Sequence, residues 1–180
     1  MSAHTCFASR LEVTSALVET ERLAALAQAT TRGEFVAKVP ASFLVLEQEI
    51  FDQEQVGFST RILDPAAARR AAQRGSSANF EVLPIAKNPA NPYPDRVSVG
   101  RARNCDVVMR DPSVSKLHAH FRIGGPKLEL VDIDSQNGTR VNGKQIPAHQ
   151  PVAVAFGDSI WFGTVTCRLV DASALYDLLR

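Results

Sequence analysis

Val97-Ser98-Val99-Gly100-Arg101, then Ser115-Lys116-Leu117-His118, then Asp134-Ser135-Gln136-Asn137-Gly138-Thr139: these three stretches decide the fold, and each stands where a short apolar run gives way to a turn. Val97 and Val99 share one face of a period-two pattern and Ser98 takes the other, which predicts a strand with one side buried. Gly100 then lets the chain turn and leaves Arg101 at the rim. Ala119, Phe121 and Ile123 alternate in the same way with His118, His120 and Arg122. Asn104-Cys105-Asp106 and Asp111-Pro112-Ser113 are turn formers around the apolar run Val107-Val108-Met109. The dipeptides Asn137-Gly138 and Asn142-Gly143 mark two tight turns beyond Leu128-Glu129-Leu130-Val131. The polar residues therefore collect on loops. Loops remote in sequence meet at the ends of a β-sandwich, which would bring Arg101, Ser115 and Asn137 together.

Such a trio suits an anion carried on a peptide. A guanidinium offers a planar fork of donors to two phosphate oxygens, a serine hydroxyl adds another, and an asparagine amide hydrogen-bonds the backbone of an extended peptide. A dianionic phosphate on a threonine fits those groups. The three stretches stand in order with Asp106, Pro112-Ser113-Val114-Ser115-Lys116-Leu117-His118-Ala119, Val141-Asn142-Gly143 and Gly157-Asp158-Ser159-Ile160. Together they resemble the forkhead-associated (FHA) domain family over about half of the chain.

The resemblance implies a mainly β fold, an eleven-stranded sandwich of antiparallel strands that binds phosphothreonine peptides at its end loops and catalyses nothing. Residue by residue, it implies that Arg101 and Ser115 contact the phosphate and Asn137 the peptide backbone, with Lys116 and Gln136 placed to touch the ligand. His118 becomes a buried brace between loops, and Gly100, Gly138 and Asn142 support the site structurally. The expected function is a phosphothreonine-peptide adaptor in serine/threonine kinase signalling, its partner a phosphothreonine-containing protein, either a kinase or a kinase substrate. Pro112-Ser113-Val114 and Arg140-Val141 are the expected readers of residues beyond the phosphothreonine. The alternative is an FHA-fold scaffold that assembles proteins without phosphate.

Composition narrows the field. A chain of 180 residues with 45% hydrophobic content can bury a sizeable core, and one domain with extensions suits that length. A net charge of +1, with both signs interspersed, supplies no field for nucleic acid or an anionic membrane, so any anion site must be local. Cys6, Cys105 and Cys167 are odd in number and widely spaced, which points to neither a disulfide framework nor a zinc site. His118 and His120 stand two apart on a strand, yet no third ligand is suitably spaced, so no metal and no cofactor are expected. The N-terminus lacks a basic segment followed by a long apolar run, and the cytoplasm is the expected location. An enzyme would need Ser115, His118 and a carboxylate such as Asp132 to act as nucleophile, base and orienter. Ser115 sits in no nucleophile elbow and no oxyanion hole is identifiable. Gly124-Gly125-Pro126 is a simple turn rather than a phosphate-cradling loop.

The remaining chain is read as additions to the sandwich: an N-terminal helical extension at 1–34, further strands and a short helix at 35–78, the core at 79–171, and a short helix or tail at 172–180. A helix is predicted over 9–32, with Ser9 and Glu12 as a capping box and Gly33 as its C-terminal cap. Thr20, between Glu19 and Glu21, is a candidate internal ligand for Arg101 if it is phosphorylated. Ser42 to Leu46 and Gly57 to Leu63 are candidate strands, and Asp64-Pro65 opens the inserted helix that Gly75 ends. Phe80 to Lys87 is the next strand, expected to pair antiparallel with the strand at Val97 through the proline-rich turn Asn88 to Asp95. Alternation resumes at Pro151 to Phe156, and Ile160, Phe162, Val165, Cys167 and Leu169 complete the core.

Overall fold

The computed structural model describes residues 15–47, 80–89 and 91–180. Among these, eleven strands form two packed sheets. In chain order they are β1 (Ser42–Glu47), β2 (Phe80–Pro84), β3 (Arg96–Gly100), β4 (Val107–Val108), β5 (Ala119–Arg122), β6 (Glu129–Asp132), β7 (Thr139–Val141), β8 (Lys144–Gln145), β9 (Val152–Ala153), β10 (Ser159–Phe162) and β11 (Val165–Asp171). One sheet runs β2-β1-β11-β10-β7-β8 and the other β4-β3-β5-β6-β9. All the pairs are antiparallel except β3 with β4, which is parallel. The alternation seen in sequence is the burial pattern. Val97, Val99, Ala119 and Phe121 are fully enclosed with Leu130, Ile160, Phe162 and Leu169 between the sheets. Each large apolar side chain so buried contributes roughly 1.5–3 kcal/mol, which outweighs the net worth of any single loop hydrogen bond. The sandwich is therefore the rigid platform, and the loops are set by it.

A second apolar layer lies outside the six-stranded sheet. Helices α1 (Ser15–Ala29), α2 (Arg32–Lys38) and α3 (Ala172–Leu179) bring Leu23, Ala27, Phe35, Leu175, Tyr176 and Leu179 against Phe43, Val45, Val82 and Val170. Strand β1 is thus buried on both faces, Leu44 inward and Phe43 and Val45 outward, which explains its unbroken apolar run. Helix α2 and the α1–α2 junction are tied to the last helix. Phe35 packs on Tyr176 at 5.4 Å, Tyr176 Oη donates to Thr30 O at 3.0 Å, and Arg32 meets Asp177 at 2.6 Å.

Several expectations are corrected. The N-terminal helix ends at Ala29, and Gly33 lies inside α2 rather than capping α1. Thr31 caps α2, with its hydroxyl accepting from Glu34 N and its own N–H donating to the Glu34 carboxylate at 2.9 Å. This Thr-x-x-Glu capping box starts a separate helix after the break at Thr30-Thr31. Thr20 is only 5% exposed, and its hydroxyl accepts from Val82 N at 2.9 Å, so it secures the edge strand β2 and has no room for a phosphate. Strand β2 is shorter than expected and pairs with β1 rather than β3, Leu83 opposite Leu44. The proline-rich segment crosses between sheets instead of closing a hairpin. Asp106 fastens it, accepting from Asn88 N at 2.7 Å and from Asn91 Nδ2 while also holding Ser98 N at 2.6 Å. Alternation over 151–156 yields only the two-residue strand β9. The Ser9–Glu12 box, the strand at 57–63 and the helix from Asp64 to Gly75 lie outside the described residues.

Candidate functional site

Strand β3 delivers Arg101 to one end of the sandwich, and the segment leading into β5 runs alongside it. Arg101 N donates to Ser115 O at 2.9 Å, Ala102 N to Lys116 O at 3.0 Å and His118 N to Val99 O at 2.9 Å. The approach is so close that a Cβ on Gly100 would stand 2.4 Å from Lys116 O and 3.0 Å from Cys105 Sγ. Only glycine fits there. The Cys105 thiol donates to the same carbonyl at 3.3 Å, and burial, then the charge of Asp106, pushes its pKa up.

His118 is fully buried beneath these loops. Its Nδ1 accepts from Ser115 N at 3.0 Å, so the proton sits on Nε2, which donates to Gly138 O at 3.2 Å. Burial holds the imidazole below its ordinary value, against the opposing pull of the Gly138 carbonyl and Asp132. The ring therefore joins the loop before β5 to the loop before β7 as a neutral brace. The Ser115 hydroxyl is elsewhere, accepting from Gln136 N at 3.1 Å. Asp132 is bonded to Ser135 and Thr139, not to His118. Ser115, His118 and Asp132 thus do not make a nucleophile, base and orienter relay.

Asp132 instead shapes the third loop. It takes Ser135 N at 2.9 Å, Ser135 Oγ at 2.6 Å and the Thr139 hydroxyl, which is itself fully buried. Burial works against its charge, but the bonds from Ser135 and Thr139 outweigh it and hold the carboxyl below the usual aspartate value. Gly138 turns with φ +73°, and the two loop residues before it, Gln136 and Asn137, are exposed. Asn137 Nδ2 donates to Ser113 O at 2.7 Å, linking this loop to the one after β4. Asn142 adopts φ +50° and bridges to Asp158 at 2.8 Å and to Ser159 N at 3.0 Å, holding the β7–β8 turn to β10.

The sandwich thus gathers Arg101, Ser115, Gln136 and Asn137 at one end through a continuous set of hydrogen bonds. Arg101 Nε donates to Val114 O at 3.1 Å, which fixes the near edge of the guanidinium and turns its two amino groups away from that bond. Ser115 keeps its hydroxyl proton to donate, because its oxygen is the acceptor for Gln136 N–H. Lys116 is exposed beside them, its carbonyl held inward. Among the described residues, no group of three or more His, Cys, Asp or Glu is placed to hold a metal ion. The proline-rich segment is fastened at Asp106 rather than to Arg101, Ser115 or Asn137. Sequence reasoning missed Asp132 as an organiser and Gly163 altogether, and it read Ser113 as part of a loop facing the ligand rather than as the partner of Asn137 and Thr164. The Asp-x-x-Ser spacing at 132–135 and a glycine between the apolar runs of β10 and β11 were the available signals.

The class that fold and site define is a two-sheet β-sandwich whose end loops gather an arginine, a serine and an asparagine. Residues 97–163 match the family model described as FHA domain. The glycogen accumulation regulator GarA of Mycolicibacterium smegmatis is 36% identical over 66 residues, 37% of this chain and 40% of that protein. The oxoglutarate dehydrogenase inhibitor of Corynebacterium jeikeium is 38% identical over 79 residues, 44% of this chain and 53% of that protein. The chain therefore spans about half the length of these curated relatives or less. Among solved structures, Mycobacterium tuberculosis EmbR in complex with a low-affinity phosphopeptide is similar at 25% identity and a TM-score of 0.40. The match covers 42% of this chain and 20% of that one.

Proposed function

We propose that this chain is a phosphothreonine-peptide-binding adaptor module of serine/threonine kinase signalling, with no catalytic activity of its own. The observation that carries it is the convergence of the outer guanidinium of Arg101 and the donor hydroxyl of Ser115 on one end of the sandwich, beside Asn137. FHA domains are among the readers of phosphorylated motifs. Arg101 and Ser115 take the phosphate, Asn137 takes the peptide backbone, and Lys116 and Gln136 flank the bound segment. Gly100, His118, Gly138 and Asn142 hold the loops at the required spacing. Residues 79–171 form the recognition module, and 1–34, 35–78 and 172–180 are additions to it. The partner is a phosphothreonine-containing protein, a kinase or a kinase substrate. No helix among the described residues is long and apolar enough to cross a membrane, and the cytoplasm is the proposed location.

Fluorescence anisotropy tests this against phosphothreonine, phosphoserine and unphosphorylated peptide pools, with the native chain and Arg101→Ala. Losing one charge-assisted bidentate contact removes on the order of 2 kcal/mol, about thirtyfold in affinity. Selective phosphothreonine binding that Arg101→Ala abolishes supports the proposal. Equal binding to all three pools overturns it in favour of a phosphate-independent scaffold.

A further inference from the structure

The loop after β4, the loop before β7 and the β10–β11 turn meet at Ser113. Its hydroxyl donates to Asp111 Oδ1 at 2.6 Å and accepts from Thr164 N at 3.0 Å and Thr164 Oγ1 at 2.8 Å. One donor and two acceptors are the full complement of a serine hydroxyl, so this side chain has one orientation. Its N–H is fixed as well, donating to Asp111 Oδ1 at 2.8 Å. The turn beneath it is equally constrained. Gly163 has φ +63°, and a Cβ there would stand 2.5 Å from Ser113 O. Gly163 N donates to Gly138 O at 3.1 Å, one residue from Asn137. The same two-residue turn thus locates both the Ser113 carbonyl and the backbone that carries Asn137.

The consequence falls on the Asn137 amide. A carbonyl oxygen only accepts, so the group 2.7 Å from Ser113 O must be Nδ2, and the flipped amide would set oxygen against oxygen. Oδ1 is then turned away from Ser113 and presented as an acceptor. We infer that Ser113 and Thr164 are positioning residues that lock Asn137 with Oδ1 outward, so that the site selects a peptide offering a free backbone N–H opposite Asn137. This rests on the phosphopeptide reading above and adds to it a device and a requirement on the ligand. A proline or an N-methylated residue at that ligand position has no N–H to give and is discriminated against.

The test titrates the full chain with two probes, a phosphothreonine peptide and free phosphothreonine, the second presenting the phosphate without the flanking backbone. Thr164→Ala and Ser113→Ala are each expected to weaken the peptide roughly fivefold, the worth of about one hydrogen bond, and to leave free phosphothreonine unchanged. Thr164→Ser restores the peptide affinity. In an Asn137→Ala background neither variant has a further effect, and N-methylation of the peptide at the position facing Asn137 costs the native chain as much as Asn137→Ala does. Equal loss for both probes, or a loss that persists without Asn137, overturns the inference by making the effect a general loosening. The side-chain amide resonance of Asn137, followed by NMR without ligand, keeps this separate from the parent proposal. If the native chain binds neither probe, the proposed function falls. The inference is then judged by that resonance, and no shift in either Ser113→Ala or Thr164→Ala would sink it.

Discussion

Replacing His118 by alanine removes a fully buried ring that joins two loops, and the expected cost can be assembled from its contacts. The ring packs edge-on against Phe162 at 5.7 Å and fills space beneath the site, so its loss leaves a cavity worth about 2–4 kcal/mol. Ser115 N–H loses the acceptor Nδ1, which adds about 1–3 kcal/mol for a donor left without a partner. Gly138 O is not stranded, because Gly163 N still donates to it at 3.1 Å, so no third penalty applies. Allowing for partial collapse, His118→Ala is expected to lower stability by about 3–5 kcal/mol, a large part of a typical domain's total. Urea denaturation followed through the single tryptophan, Trp161, measures this. Phosphopeptide affinity should fall in parallel under conditions where the variant is folded, since Ser115 has lost its backbone anchor. A loss below about 1 kcal/mol would refute the brace, as would unchanged peptide affinity in a strongly destabilised but folded variant.

Two further outcomes follow from the same geometry. His118 and His120 are both held below 6.5, His118 by burial and His120 by burial and then by Arg96 and Arg122. The unfolded chain takes up protons that the fold refuses, so this stabilisation is complete above pH 6.5 and is lost as pH falls through the lower folded values. Denaturation midpoints measured between pH 7.5 and pH 5, about a unit either side of the ordinary histidine value, should fall on the acid side; a flat profile would count against a neutral buried His118. Gly100→Ala places a methyl 2.4 Å from Lys116 O, a backbone atom that yields only if the strand shifts. A cost of about 1–3 kcal/mol and a matching loss of phosphopeptide affinity are expected, read by thermal melting and anisotropy.

How far the sequence was legible depends on the range of the interactions involved. Alternation at Val97 and Val99 and at Ala119 and Phe121 reported burial directly, because successive strand residues face opposite ways wherever the strand sits. Turn glycines and asparagines marked the loop boundaries for an equally local reason. The break at Thr30-Thr31 was also local and could have been read from Thr31 and Glu34, but the apolar residues on either side masked it. Other features had no local signature. Thr20 looked like an exposed site between two glutamates until α1 packed its hydroxyl onto Val82 N. Strand β2 had the same apolar pattern whether it joined β1 or β3.

By itself, then, the sequence determined the central strands β3 and β5, the loops that carry polar chemistry, and Arg101, Ser115 and Asn137 as the residues to watch. Backbone geometry and side-chain alternation act over a few residues and leave a periodic trace. Only the tertiary structure decided that Asp132 shapes the third loop, that Ser113 and the Gly163-Thr164 turn hold Asn137, and that three helices from the two chain ends cover the outer sheet. Those contacts join residues tens of positions apart, and they are selected by which faces remain to be buried and which hydrogen-bonding groups remain to be satisfied once the sandwich has closed.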